Sequence, residues 1–225
     1  ERQGELTQIC NLEQLESHLE KWSTSQNEQL PIGYVLSLEG ADSIITLQHL
    51  ELAYEKGSRA IGPAHYGPGT YAPGTGESGP LGNGAIELLR EMERLNIILD
   101  VTHLSDSSLD QALDTFSGTV WASHCNCRTL VSGERQLNDQ QLKRLIERGG
   151  VIGAALDAWM LIPDWQRGLT TPQSSGVKLS HVVNHIDYVC QLAGNSKHAC
   201  IGTDLDGGFG LEQSPGDMES IADLQ

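Results

Sequence analysis

The chain has no apolar run of about 18 residues or longer, so nothing in it reads as a membrane span. Basic residues are scarce: 14 Lys and Arg stand against 30 Asp and Glu, a formal net charge of −16. That deficit argues against nucleic acid or an anionic membrane surface as a partner, because both are gripped by clustered positive charge. It suits a protein that arranges carboxylates around cations. Cysteines are few. Cys10, Cys125, Cys127, Cys190 and Cys200 are odd in number and scattered, which speaks against a disulfide framework. Reduced thiols in a cytoplasmic compartment are the default expectation. No Gly-x-Ser-x-Gly elbow occurs, and Ser123 beside His124 is only a neighbour, so no serine nucleophile is expected. The glycine-rich stretch 67–84 lacks a following Lys-Ser or Lys-Thr, which argues against a phosphate-cradling loop. No signal peptide is visible, an observation of little weight in a chain that opens on Glu1 rather than Met.

What remains is a composition of 38% hydrophobic and 20% charged residues over 225 positions, enough to bury a core and to form one α/β domain, 1–225. Along the chain, apolar runs suited to buried strands alternate with stretches of helical period. Residues 5–26 carry Leu12, Leu15, Leu19 and Trp22 at helical spacing and read as an amphipathic surface helix. Strands are expected at 32–38, 59–64, 97–103, 119–124, 150–156 and 199–203. Helices are expected from Ser43 to a stop at Gly57, then at 85–95, 108–116, 138–148 with Asn138 as N-cap, and 179–193. The last turns Val182, Val183, Ile186, Val189 and Cys190 inward. Residues 66–83 are too long and too rich in glycine and proline for a connector, and read as disordered or as a functional lid or binding loop.

Alternation at this spacing means parallel strands with crossover helices. A doubly wound sheet and a closed barrel both satisfy it. The polar residues decide between them. Glu39, His65, His103, His124 and Asp204 each end a different strand, and only a barrel turns every strand end toward one cavity. Six strands fall short of the usual eight, so the expected fold is a parallel (β/α) TIM-type barrel incomplete at both ends. His103 and His124, each closing a β-branched run, make a pair of imidazole ligands for a metal such as zinc. The alternative is two histidines satisfied by neighbouring backbone.

Several motifs agree in order and spacing with one family. Ser-Leu-Glu-Gly at 37–40, Leu-Asp-Val-Thr-His at 99–103, Ser123-His124, Glu134-Arg135 and Ile-Gly-Thr-Asp-Leu-Asp-Gly at 201–207 resemble the membrane (renal) dipeptidase family of zinc metallopeptidases. The likeness runs over about residues 32–210. It implies hydrolysis of the peptide bond of a dipeptide by a metal-activated water in an amidohydrolase-type barrel. Glu39 then corresponds to the carboxylate bridging two zinc ions, and His103 and His124 to imidazoles of the second ion. His65 matches a histidine that contacts the substrate or its tetrahedral intermediate, Arg135 the arginine on the substrate's terminal carboxylate, and Asp204 the acid/base aspartate. Trp159 stands where the family often has a tyrosine near the substrate. Asp206 reads as structural. A homodimer is the further partner the resemblance suggests.

The family's His-x-Asp pair, which binds the first metal upstream of the bridging glutamate, has no counterpart before Glu39. His185-Ile186-Asp187 has the spacing but falls in a helical pattern, where the two side chains diverge, so it is rejected. His124-Cys125-Asn126-Cys127 lacks the second cysteine pair of a thiolate site. His18, His49, His181 and His198 lie in polar contexts and receive no role. Two other functions stay open: a metal-barrel amidohydrolase acting on a lactone or cyclic amide, and a catalytically inactive homologue with a binding role. The direction of Arg135 separates the first from a dipeptidase.

Overall fold

A computed structural model describes residues 4–25, 30–205, 207 and 209–224. Strand β1 (Leu6–Gln8) is followed by helix α1 (Leu12–Thr24), and β2 (Ile32–Tyr34) pairs with β1 in parallel. The helical reading of 5–26 therefore holds only from Leu12. Asn11 starts the helix, its side chain accepting the Gln14 N–H at 2.9 Å, and the preceding residues are extended. The expected first strand also divides: β2 ends at Tyr34, and β3 (Leu36–Glu39) joins a different sheet.

That second sheet is the frame of the molecule. In it β3, β4 (Ser58–Gly62), β5 (Ile98–Asp100), β6 (Val120–Ala122), β7 (Val151–Ala154) and β8 (Ala199–Ile201) lie side by side in chain order, every pair parallel. The crossovers carry α2 (Leu47–Glu55), α3 (Ala85–Arg94), α4 (Asp106–Thr115), α5 (Asp139–Glu147), the short α6 (Ala158–Leu161) and α7 (Pro172–Ser175), and α8 (Leu179–Ala193). A doubly wound sheet reverses its strand order at a switch point; this one never does. With right-handed crossovers, unreversed order puts all helices on one face, which is the wall of a (β/α) TIM-type barrel. Among the described residues β3 and β8 do not pair with each other, so the wall is open there.

The core lies between this sheet and the helices. Ala85, Leu88, Leu89 and Met92 of α3 are buried at i, i+3, i+4 and i+7, in one cluster with Leu99 of β5 and Val101 just after it. Each such leucine is worth about 1.5–3 kcal/mol of burial. In α5 the Asn138 side chain accepts the Gln141 N–H, and Gln141 returns the bond to the Asn138 N–H. Val183, expected inward on α8, is 58% exposed, because Val182, His185 and Val189 form the packed stripe instead. After β7, Ala158 and Leu161 of α6 pack in a smaller cluster with Val182 and Met218.

Residues 66–83 are ordered. The Thr70 N–H bonds the Asp42 carboxylate at 2.7 Å, the Tyr71 hydroxyl bonds the Ile44 carbonyl, and the Leu81 N–H bonds the Gln111 side chain at 2.9 Å. Thr75 pairs with Tyr66 across the loop.

Candidate active site

Because all six strands of the sheet run the same way, their carboxyl ends share one rim. Glu39 closes β3, and His65, His103, His124 and Asp204 follow β4, β5, β6 and β8. Glu39 Oε1 lies 2.9 Å from His103 Nε2 and 3.0 Å from His124 Nε2, and the two nitrogens are 3.3 Å apart. An ion bound about 2.0–2.2 Å from each donor spaces them by roughly 3.3–3.6 Å in tetrahedral geometry, which small outward shifts of this donor set reach, so it fits a divalent cation. Among the described residues no other group of three His, Cys, Asp or Glu side chains converges in this way.

The electrostatics favour ligation. Hydrogen bonds from His103 and then His124 hold the Glu39 carboxyl well below the usual carboxylate range. Burial pushes His103 down to about 4, keeping it neutral and able to bind a metal. Behind the donors stand two hydroxyls. Thr75 Oγ1 is 2.8 Å from His103 Nδ1, and Ser123 Oγ is 2.8 Å from His124 Nδ1. Buried Asp100 ties the two strand ends together by accepting the Thr102 and Ser123 N–H groups, each at 3.1 Å. His103 and Asp204 both have left-handed backbone, φ 69° and 57°. Conformations of this kind cost about 1–3 kcal/mol in non-glycine residues and concentrate where function fixes a side chain.

A cavity of about 190 Å³ opens on these donors, lined by Glu39, His65, His103, Arg135, Trp159 and Asp204, with Tyr66, Asp157, Met160, Arg167, Gly207 and Phe209. His65 Nε2 sits 3.9 Å from Glu39 Oε1, with its ring edge-on to His103. Asp204 Oδ1 is 3.9 Å from His124 Nε2, and burial raises its carboxyl above the usual range. Arg135 is only 5% exposed and donates to the His124 carbonyl at 3.0 Å and to Cys125 Sγ at 3.3 Å. Among the described residues no carboxylate pairs with it within 4.0 Å, so it is a buried cation facing a cavity without its own counter-ion. Trp159 is held by its Nε1–H on Asp157 at 2.6 Å and covered by Arg167, 4.8 Å from its ring centroid. Gln213 donates to the same Asp157 at 2.7 Å.

Thr75, Asp157 and Arg167 have no signal in the sequence, since none ends a strand or repeats with a period, whereas Asp100 ends β5 within the Leu-Asp-Val-Thr-His run. The other polar groups stand apart. His185 is buried in α8, accepting the Cys127 N–H on Nδ1 at 3.0 Å, while Asp187 bonds Gln191 on the outside. All five cysteines are free thiols. His49 and His181 cap α2 and α8, a role the sequence reading did not give them. A larger cavity of about 440 Å³ between α1 and the β1–β2 pair contains no buried titratable side chain. Asp206 lies outside the described residues. Among those residues, no helix is long and apolar enough to cross a membrane.

The chain matches the sequence profile of the membrane dipeptidase family, peptidase family M19, over residues 11–225, and it belongs to that family. An uncharacterized protein encoded in the pqqA 5′ region of Klebsiella pneumoniae is 30% identical over 183 residues, covering 78% of this chain and 65% of the relative. An uncharacterized dipeptidase of Schizosaccharomyces pombe is 30% identical over 137 residues, 61% of this chain and 30% of that protein. In three dimensions the chain superimposes on a metallopeptidase from Rhodobacter sphaeroides, liganded with a phosphinate mimic of the dipeptide L-Ala-D-Ala. The TM-score is 0.74 at 22% identity, covering 95% of this chain and 58% of the neighbour. The chain thus spans less than two thirds of the length of these relatives.

Proposed function

We propose that the complete protein is a zinc-dependent dipeptidase whose second-metal ligands are Glu39, His103 and His124. The observation that carries this reading is the meeting of three donor atoms, delivered by three separate strand ends, within 3.3 Å of one another. Zinc held there supplies Lewis-acid polarisation of a carbonyl and makes water acidic enough to attack at neutral pH. In a two-metal site Glu39 would also serve a first ion, for which no His-x-Asp pair precedes it in this sequence.

The chain's own residues do the rest. Arg135 holds the substrate's terminal carboxylate, for which a buried guanidinium without a counter-ion is well suited. Asp204, beside His124, takes a proton from the attacking water and returns it to the leaving amine. His65, on the open side of Glu39, donates to the oxygen that gains charge. Trp159 forms an apolar wall, since its one donor is engaged by Asp157. The family membership and the dipeptide mimic bound by the Rhodobacter sphaeroides neighbour support the substrate class. Arg135 favours it over a lactone or cyclic amide, which brings no carboxylate to the cavity.

The test is hydrolysis of a panel of L,L- and L,D-dipeptides by the intact protein, before and after chelation, with zinc restored. Loss on chelation and absence of activity in His103→Ala and His124→Ala are expected. Arg135→Met is expected to raise KM about 10–100-fold, the worth of a charged hydrogen-bond pair. Undiminished turnover in excess chelator refutes the metal reading, and an unchanged KM in R135M refutes the carboxylate role.

A further inference from the structure

The glycine-rich loop between β4 and α3 lends Tyr66 to the cavity lining and also reaches one of the converging histidines. Its Thr75 Oγ1 reaches His103 Nδ1 at 2.8 Å, from a segment 28 residues away in the chain. Ser123 does the same for His124 but is its immediate neighbour, so β6 alone sets that pair. The partner of His103 has to be delivered. Three features deliver it. The Thr75 N–H bonds the His65 carbonyl at 2.9 Å, and the Gly67 N–H bonds the Thr75 carbonyl at 3.0 Å. Gly74 lies so close that a Cβ there would stand 1.9 Å from the His65 carbonyl oxygen, so only glycine permits the approach. On the far side Glu134 Oε1 accepts the Gly76 N–H at 2.9 Å, fastening the loop to the segment that carries Arg135.

We propose that Thr75 is a positioning residue for His103, and that Glu134 acts through it by latching the loop. His103 has left-handed backbone, so no standard strand-end conformation aims its ring. The aim comes instead from its surroundings: the Thr75 hydroxyl on Nδ1, with the rings of His65 and Tyr66 packed 4.6 and 5.1 Å away. A hydroxyl both donates and accepts, so it serves Nδ1 in either tautomer while Nε2 faces Glu39. Outer partners of this kind fix ring orientation, and their loss typically weakens metal binding about 10–100-fold.

This inference rests on the reading of His103 as a metal ligand. Its test is the zinc dissociation constant of the intact protein, measured by chelator competition, with a thermal melt of each variant. Thr75→Val is expected to bind zinc about 10–100-fold more weakly, Thr75→Ser to restore affinity, and Thr70→Val in the same loop to leave it unchanged. Glu134→Ala is expected to weaken binding in the same direction, with Glu134→Gln restoring it. The Thr75→Val/Glu134→Ala pair should lose no more than Thr75→Val alone, as for two residues acting through one contact. Wild-type affinity in a folded T75V overturns the positioning role and leaves the metal reading standing. A wild-type protein with no zinc affinity overturns both.

Discussion

His185 is a buried base with no catalytic neighbour, and its environment carries a stability consequence. It is 2% exposed, its Nδ1 accepts the Cys127 N–H at 3.0 Å, and burial pushes its pKa down to about 4. The unfolded chain protonates it near 6.5. Between these values the unfolded state binds more protons than the folded one, so stability is full above about pH 6.5 and is lost as pH falls toward 4. Acting alone, a shift of this size is worth at most about 3 kcal/mol. His103, held down to the same value by burial, adds a loss in the same window. His185→Asn keeps an acceptor for the Cys127 N–H and removes the titration. Urea unfolding between pH 7 and pH 4.5 should show a shallower decline in H185N than in wild type. Equal slopes would show that the folded protein admits the protonated ring. At this scale the sequence was informative wherever chemistry coincided with a strand end. Glu39, His103 and His124 each follow an apolar run, and that run is what brings them to the rim. Thr75, Asp157 and Arg167 reach the same cavity from irregular segments, where no period marks a residue as facing anything.

Elements were legible in proportion to their length and regularity. The bounds expected for α8 match those of the structure because its apolar residues repeat with helical period over four turns. β1 falls inside the stretch read as helix because Leu6-Thr7-Gln8 carries no alternation to set against the periodic residues beside it. The loop 66–83 was visible as non-regular, while its order depends on ties to Asp42, Ile44, Gln111 and Glu134 that only folding reveals. Glycine positions in this loop divide into two kinds. Gly67 has φ 78° and open space around a built Cβ, so Gly67→Ala meets only backbone strain, about 1 kcal/mol. Gly74 has no such space, and Gly74→Ala must push the loop off the His65 carbonyl, costing roughly 1–3 kcal/mol. Hydrogen exchange separates them: the Thr75 amide is expected to lose protection in G74A and keep it in G67A. Protection retained in G74A would mean that the loop moves as a unit without releasing that bond.

On the scale of the whole molecule, six parallel strands in chain order define the barrel wall, and its two edges remain uncovered. Leu36 on β3 is 39% exposed and Ile201 on β8 is 45% exposed. The Glu39–His103–His124 cluster, by contrast, joins three parts of this wall: Glu39 comes from β3, and the two imidazoles from the turns after β5 and β6. A cation shared by those three segments stabilises the folded state alone, since the unfolded chain scatters the donors. At about 100 times its dissociation constant it adds about 2.7 kcal/mol. For a chain of this size that corresponds to a rise in Tm of roughly 5–10 °C. Zinc added to the intact protein is therefore expected to raise Tm by that amount, chelator to reverse it, and His124→Ala to abolish it. An equal rise in H124A would place the stabilising ion elsewhere, and with it the claim that these strand ends form one metal site would fail.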